Sequence, residues 1–543
     1  MKNTYKYLCL FIALVGSLFI IQSCDNPFEG VTTILTNIKI DHSVNVQIMD
    51  ANPDAANPYT AKPTVTLGGD AVVKGLIFST DGKLLTTASG SATVVNNTVN
   101  LAVRPFTIIS KNKPLRFFIK AEAANYITNT KEIVITSLDS LQFLKLPLLK
   151  ISKVPEGVAV KTTKATAIAG ELTKDFVVNV TSIVPGSSTI ETVATATFPA
   201  STVFIDANNN VITTAGDFNI SVINYSADTP ASISSLPGGL QASTTTGTDL
   251  STIILAGAVD ITANIGGTAI KSFDTPIPFE IKLSEGVFNP VSKTVIKAGD
   301  KLPVWSKDEN SVVWKREGEA TIENDLATGG LKVTIQVSHL STWMVAYLLP
   351  QCANTTILKY VSTTTAEVVT ARIDVNVKGG DNQLIATKTL TITDGDDIEL
   401  LLPKDVNFTV TVYDASSTSV IPYSTLDLLA CATNGTITNT VVSTNPVLSF
   451  DLETRCPNGN FRYSGNIEYK LAGTALWLPF TPSVGGKLST RLLEWDKIYD
   501  FRIIYRDVVY QRRRTVLKSE FTQLGDVWEY SARTFFLSPS RCN

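Results

Sequence analysis

The chain is 543 residues long and carries 46 Lys and Arg against 49 Asp and Glu, a formal charge of −3. That mildly acidic balance excludes the cationic footprint of a nucleic-acid-binding protein, and the length is too great for one hydrophobic core, suiting about three to five domains. Thr, Val, Ile, Ser and Asn are abundant and long Glu/Lys/Ala-rich stretches are missing, which points to β-structure, while only 2 His and 3 Met leave little material for a histidine-based metal centre.

In chain order, Lys2 and Lys6 flank a short charged start, and LCLFIALVGSLFII (8–21) is apolar throughout. The run is short for a membrane span and is interrupted by Gly16-Ser17. A basic start, a short apolar core and small residues make a secretory signal. Its end, Ile21-Gln22-Ser23-Cys24, resembles the bacterial lipobox, with an aliphatic residue three before cysteine and a small residue just before it. The resemblance implies a diacylglyceryl group on the Cys24 thiol, cleavage before Cys24 and acylation of the new amine. The competing reading is an ordinary signal with an accidental cysteine. Several acyl chains, at about 0.8 kcal/mol per buried CH₂, make a stable anchor where one would not. The lipobox reading predicts an envelope protein anchored to the outer membrane, on its periplasmic or its surface-exposed face.

After a polar tether (24–36), NIKIDHSVNVQIMDA (37–51), PTVTLGG (63–69), LRFFIKAEAANYI (115–127), KEIVITS (131–137) and LQFLKLPLLKI (141–151) alternate apolar and polar residues. Turn chemistry separates them, as in DANPDAANP (50–58) and STDGK (79–83). Short strands spaced by turns predict a β-sandwich of immunoglobulin or transthyretin type over 37–151. FFIKAEAANYITNTKEIVIT resembles the end of a carboxypeptidase-regulatory-like domain, with Asn125 in place of that family's turn glycine.

Residues 152–350 read as a longer β-rich block. Its end, 296–347, resembles a module of bacterial surface proteins and of cartilage intermediate layer proteins, in which a W…D…W…EG hairpin leads to a strand ending in HxSxW. Here those positions are Trp305, Trp314, Glu317, His339, Ser341 and Trp343. The resemblance implies an extracellular β-module without known chemistry. Tryptophan beside imidazole can build a sugar site or a catalytic dyad, but at these spacings the same residues pack one small core. The other histidine, His42, is remote in sequence, and no Gly-x-Ser-x-Gly or His-Glu-x-x-His motif occurs.

Residues 351–455 are again strand–turn–strand. TDGDD (393–397) places Asp394, Asp396 and Asp397 in one loop, where an Asp-Gly hairpin tip is preferred over a calcium site because no glutamate stands at the spacing an EF-hand loop needs. The last block, 456–543, holds YDFRIIYRDVVYQRRRTVLKSEF (499–521) and lies farthest in sequence from Cys24. On one exposed face, Arg502, Arg506, Arg512, Arg513 and Arg514, with Tyr505 and Tyr510 as stacking surfaces, would form a patch for an anionic glycan or lipid phosphate. The alternative is a solvated strand pair whose charges have no ligand.

Cys9 leaves with the signal, so Cys352, Cys431, Cys456 and Cys542 remain beside Cys24. None forms a C-x-x-C, and an oxidising compartment favours disulfides. Of the three pairings, 352–431 with 456–542 brackets one domain-sized block each, and each bond would close a loop of about 80 residues, worth about 4 kcal/mol in the chain-entropy model. Four unpaired buried thiols are the other possibility. These readings converge on an all-β protein of tandem sandwiches behind a lipoprotein signal (1–23). They predict no enzyme activity, cofactor or metal, a membrane partner through Cys24, and a glycan or envelope protein as ligand. A glycan-degrading enzyme is the alternative. It would need two facing carboxyls about 5–10 Å apart, which sequence does not reveal.

Overall fold

The computed structural model describes residues 43–535 apart from 53–60, 80–82, 88–90, 96, 105, 111–112, 136–141, 184–187, 245–249, 309–310, 363–367, 382, 415–421, 440–444, 452, 457–458, 463–466, 475–476, 481–485, 506–507, 526 and 531–533. Cys24, the tether and Cys542 therefore lie outside the described residues. The described chain is nearly all strand, in tandem β-sandwich layers, with the two short helices Asp70–Val73 and Pro230–Ser235.

The first layers follow from alternation. Leu115–Glu122 buries Leu115, Phe117, Ile119 and Ala121 and turns the residues between them outward. It lies between Thr64–Gly68 and Asn129–Ile135. The facing sheet holds Ser43–Asp50 between Thr98–Val103 and Gln142–Lys150. Val44, Val46 and Ile48 meet Phe117, Ile119, Ile133, Leu146 and Leu148 in one core, and each such side chain contributes about 1.5–3 kcal/mol over leaving it in water. Asn125 takes a left-handed conformation (φ 67°) at the turn after Glu122. Asparagine tolerates that conformation better than other non-glycine residues, so it can replace the glycine of the resembled turn.

Ser43–Asp50 and Gln142–Lys150 run parallel, with Val44 opposite Gln142 and Asp50 opposite Leu148. The chain therefore enters this sandwich at one end and leaves it at the other. Gln142 and Phe143 also pair with Leu390 and Thr389 of Leu384–Thr393, so one nine-stranded sheet continues into Val368–Val377, Phe408–Asp414 and Pro422–Leu428.

The middle block is built on Leu250–Ile265, a strand of 16 residues. One half pairs with Gly216–Ser226, which pairs with Val158–Ile168. The other half takes part in a closed ring. Gln241–Thr244 bonds to Leu250–Ile265 on one side and, in parallel, to Val313–Thr321 on the other. Val313–Thr321 pairs with Lys301–Lys307, that strand with Thr342–Pro350, and Thr342–Pro350 with Leu250–Ile265 again. These pairings join the five strands into a ring. A second sheet, including Phe176–Ile183, Ile190–Phe198, Ser272–Leu283 and Leu331–His339, covers the first. Phe176, Phe198, Phe204, Phe218 and Phe273 fill the space between with ring centroids 4.7–6.5 Å apart.

The same buried cluster runs from Leu149 to Ile437 without a break at residue 350. Gln383 stitches the two sides. It is 4 % exposed, donates Nε2 to the Leu255 carbonyl at 2.7 Å and accepts the Phe288 N–H at 3.0 Å. In the third block a disulfide joins Cys352 to Cys431, with Cα atoms 5.5 Å apart. Cys456 ends the strand Glu453–Cys456, and its expected partner is outside the described residues. The last block has its own core around Tyr469, Phe480, Leu493 and Tyr499, which Leu448 of the strand Val447–Asp451 before it joins. It folds back on the first sandwich, where Gln47 Nε2 donates to Glu468 Oε1 at 3.3 Å.

Candidate functional site

Two groups of side chains carry the chemistry singled out from sequence, and the first is the tryptophan–histidine module. Trp314 and Trp343 are fully buried. Trp305 donates Nε1 to the Ala346 carbonyl at 3.1 Å, and Trp343 donates to the His339 carbonyl at 3.0 Å. The His339 ring lies 4.9 Å from that of Trp343. Its Nδ1 is 3.1 Å from Ser341 Oγ and its Nε2 is 3.4 Å from Glu317 Oε1. A serine, an imidazole and a carboxylate in line have the outline of a catalytic relay.

The surroundings argue otherwise. Ser341 stands two residues after His339, in the turn that joins Leu331–His339 to Thr342–Pro350, and is buried. Its hydroxyl closes that turn and is not presented to a substrate. Glu317 Oε1 also accepts from Ser306 Oγ at 2.8 Å and lies 2.9 Å from Lys315 Nζ. Burial alone would raise the Glu317 carboxyl, but hydrogen bonds from Lys315, Ser306 and His339 outweigh it and hold the group below the usual range. The polar tips of Glu317, His339 and Ser341 are bound to one another and to Ser306 and Lys315.

The second group is the arginine-rich hairpin, Ile498–Tyr505 with Val508–Thr515. Cross-strand partners share a face. Asp500 stands opposite Arg513 and Arg502 opposite Gln511, while Tyr499 and Phe501 stand opposite Arg514 and Arg512. On the next strand, Ile467–Leu471, Glu468 faces Arg502 and Lys470 faces Asp500. The arginine run is thus divided. Arg513 shares a face with Arg502, and Arg512 and Arg514 lie on the other, so the single arginine face expected from sequence does not form. Arg506 and the side chains of Tyr505 and Tyr510 lie outside the described residues.

The first of these faces is a closed network. Arg513 binds both oxygens of Asp500, at 2.7 and 2.9 Å. The hydrogen bond from Arg513 keeps the Asp500 carboxyl below its ordinary range and raises Arg513 in return. Arg502 is buried, paired with Glu468, and its guanidinium stacks 4.3 Å from the Trp477 ring. Lys470 approaches the same ring at 5.1 Å. Trp477 is the stacking surface here, in place of the expected tyrosines. It precedes the short strand Leu478–Pro479, and no periodicity in the sequence places it over Arg502. Arg512 and Arg514 are exposed on the other face.

In the TDGDD turn, Asp394 Oδ1 accepts the Ser362 N–H at 2.8 Å and Gly395 is left-handed, as a hairpin tip requires. Sequence reasoning missed Lys307. It ends Lys301–Lys307 at one mouth of the strand ring, 2 % exposed. In register beside it come Thr342 and then Asp260, and Trp314 lies 5.7 Å from its ammonium. The Leu236–Leu240 turn lies over it, so that a Cβ on Gly238 would come within 3.3 Å of Lys307 Cε. Burial brings the ammonium down to about 8, against the attraction of Asp260 and Asp308.

No family model and no curated protein matches the chain. Among solved structures it is similar to a streptococcal ancillary pilin at 12 % identity, over 45 % of this chain and 96 % of that one, with a TM-score of 0.15. It is also similar to the Bacillus anthracis TIE protein at 9 % identity, over 88 % and 68 % of the two chains, with a TM-score of 0.14. The major pilin subunit of Bacillus cereus aligns at 8 % identity over 91 % and 99 %, with a TM-score of 0.13. Overlaps this slight carry no argument about what the chain does.

Proposed function

We propose that this is a non-catalytic lipoprotein of the Gram-negative envelope, held in the outer membrane by acyl chains on Cys24, whose β-modules present a binding or assembly surface to a glycan or another envelope protein. One observation carries the non-catalytic part. Among the described residues singled out from sequence, the groups at Glu317–His339–Ser341 and at Glu468–Arg502–Asp500–Arg513 are bound to their neighbours within the fold. Ion-pair and hydrogen-bond networks of this kind are built for structure as well as for catalysis, and Ser341, the one nucleophile among these residues, is buried. The anchoring rests on the Ile21–Cys24 sequence. The sheet shared by the first and third blocks and the core shared by the second and third favour a rigid body over beads on a string, which suits presentation of a fixed surface.

Mass spectrometry of the N-terminal peptide from membrane-bound protein tests the anchor. A mature chain beginning at acylated Cys24 is expected, and Cys24→Ser should give an uncut or soluble product. An unmodified Cys24 in membrane-bound wild type overturns the anchoring. Cross-linking and pull-down from detergent-solubilised membranes then identifies the class of partner, and hydrolysis of envelope glycans by the purified chain would refute the non-catalytic reading.

A further inference from the structure

The end of the first sandwich at which the chain enters carries large apolar side chains in water. Phe106 is 95 % exposed, Ile108 77 % and Val73 72 %. Phe106 is left-handed, with φ 62°, a conformation that a bulky residue adopts only when its surroundings impose it. Here the Thr107 N–H and hydroxyl both donate to the Arg104 carbonyl, at 3.2 and 2.6 Å. That tight turn holds Phe106 away from the core and bears the strain of doing so.

The apolar residues belong to one end of the sandwich. The Arg104 N–H donates to the Leu76 carbonyl at 2.8 Å, and Ile77 pairs with Val103, which sets the 104–108 loop beside the helix Asp70–Val73 and the turn that follows it. Leu84, also exposed, approaches Gly75. Cations flank them: Lys74, Arg104 and Lys113 are exposed. Asp70 pairs with Lys74 at 3.2 Å; in the neighbouring third block Asp394 accepts the Ser362 N–H, while Asp396 and Asp397 of the same turn are exposed.

The tether arrives at the same end. Ser43, the first described residue, stands opposite Ala102, two residues before Arg104. The segment that follows Cys24 in the chain therefore joins the sandwich at this end. The parallel pairing of Ser43–Asp50 with Gln142–Lys150 takes the chain out of this sandwich at the opposite end, and the third block later returns beside Gln142 and Phe143.

We infer that this end docks on the bilayer that holds Cys24, with Phe106 and Ile108 entering the boundary between headgroups and acyl chains and Arg104 and Lys113 meeting anionic lipid headgroups. The occupant is a lipid surface because apolar tips ringed by cations complement an anionic interface, and because the anchor brings that surface to this end. The inference rests on the lipoprotein reading, and its consequence is orientation: the module stands on the membrane in place of swinging from its tether.

The test uses the mature chain from residue 24 with Cys24→Ser, so that no acyl chain contributes, and vesicles of phosphatidylcholine with 30 % phosphatidylglycerol (about a third anionic). Co-sedimentation should show binding that weakens as salt rises. Phe106→Ser with Ile108→Ser should weaken it at least about tenfold, with an unchanged far-UV circular dichroism spectrum, because both side chains are outside the core. Arg104→Ser with Lys113→Ser should remove most of the salt dependence. Equal binding by the wild type and the Phe106/Ile108 variant overturns the proposal, as does no binding by either. A shift from dimer to monomer in that variant without any vesicle binding also overturns it, since the occupant would then be a second copy. Acylated Cys24 in cells together with vesicle binding indifferent to Phe106 refutes the docking alone. Unmodified Cys24 together with Phe106-dependent binding refutes the lipoprotein reading and leaves the docking standing.

Discussion

Lys307→Met should stabilise the protein at neutral pH and abolish part of its alkaline stabilisation. The ammonium is 2 % exposed, beneath the Gly238 turn, and burial brings it down to about 8 from the ordinary lysine value of 10.5. A lowered base holds its proton less tightly folded than unfolded, so the unfolded chain binds more protons between those two values. Stability therefore rises with pH through that window and is lowest below about 8, where the buried cation is fully charged. A gap of about 2.5 units corresponds to about 3 kcal/mol. Methionine has similar length and no charge; it gives up the Lys307 Nζ bond to the Ser311 carbonyl, at 3.4 Å, while Thr342 still offers its hydroxyl to Asp260, at 3.4 Å, so about 1–3 kcal/mol of the desolvation cost should be recovered at pH 7. Urea denaturation followed by tryptophan fluorescence, from pH 7 to 10.5, measures both variants. Lys131, Lys145 and Lys388 are also lowered by burial, so the quantity to read is the difference between wild type and variant. It should shrink toward zero as pH approaches 10.5. A variant less stable than wild type at pH 7, or a difference independent of pH, would refute the argument and show that the Lys307–Asp260 attraction outweighs desolvation.

Replacing Cys352 and Cys431 by serine together should cost about 4 kcal/mol in the chain-entropy model, read as a lower denaturation midpoint that reductant no longer affects. Gln383→Leu leaves the Phe288 N–H and the Leu255 carbonyl without partners in the core, and about 1–3 kcal/mol of stability should be lost in the same assay. Glu317→Ala should cost about 1–2 kcal/mol at pH 7 by releasing three donors. Because the Glu317 carboxyl is held below its ordinary range, its contribution is complete above the unfolded value and fades as pH falls through the folded one, so wild type and Glu317→Gln should converge in acid. Equal stabilities of wild type and Glu317→Ala at pH 7 would show that the His339 hairpin does not depend on this carboxylate.

Strand content and much of the local architecture are written in short-range chemistry. The alternation in LRFFIKAE is the burial pattern of Leu115–Glu122, because successive side chains on a strand must point to opposite sides. Asn125 and Asp394-Gly395 mark turns because few residues accept a left-handed backbone. The pairing of Cys352 with Cys431 followed from block length and holds. The same alternation separates Arg513 from Arg512 and Arg514, so the division of that run was legible too. Its pairing was not: that Arg513 meets Asp500 and Arg502 meets Glu468 depends on the register of three strands. Tertiary structure alone decided that Gln142–Lys150 would bond to a strand more than two hundred residues away and that five strands would close over Lys307. It also decided that an ordinary-looking phenylalanine would be held out in water at Phe106. A strand's pattern states which face it buries, but edge hydrogen bonds are the same for every sequence, so the pattern does not name the partner strand. That choice is made when the whole chain buries its apolar faces together.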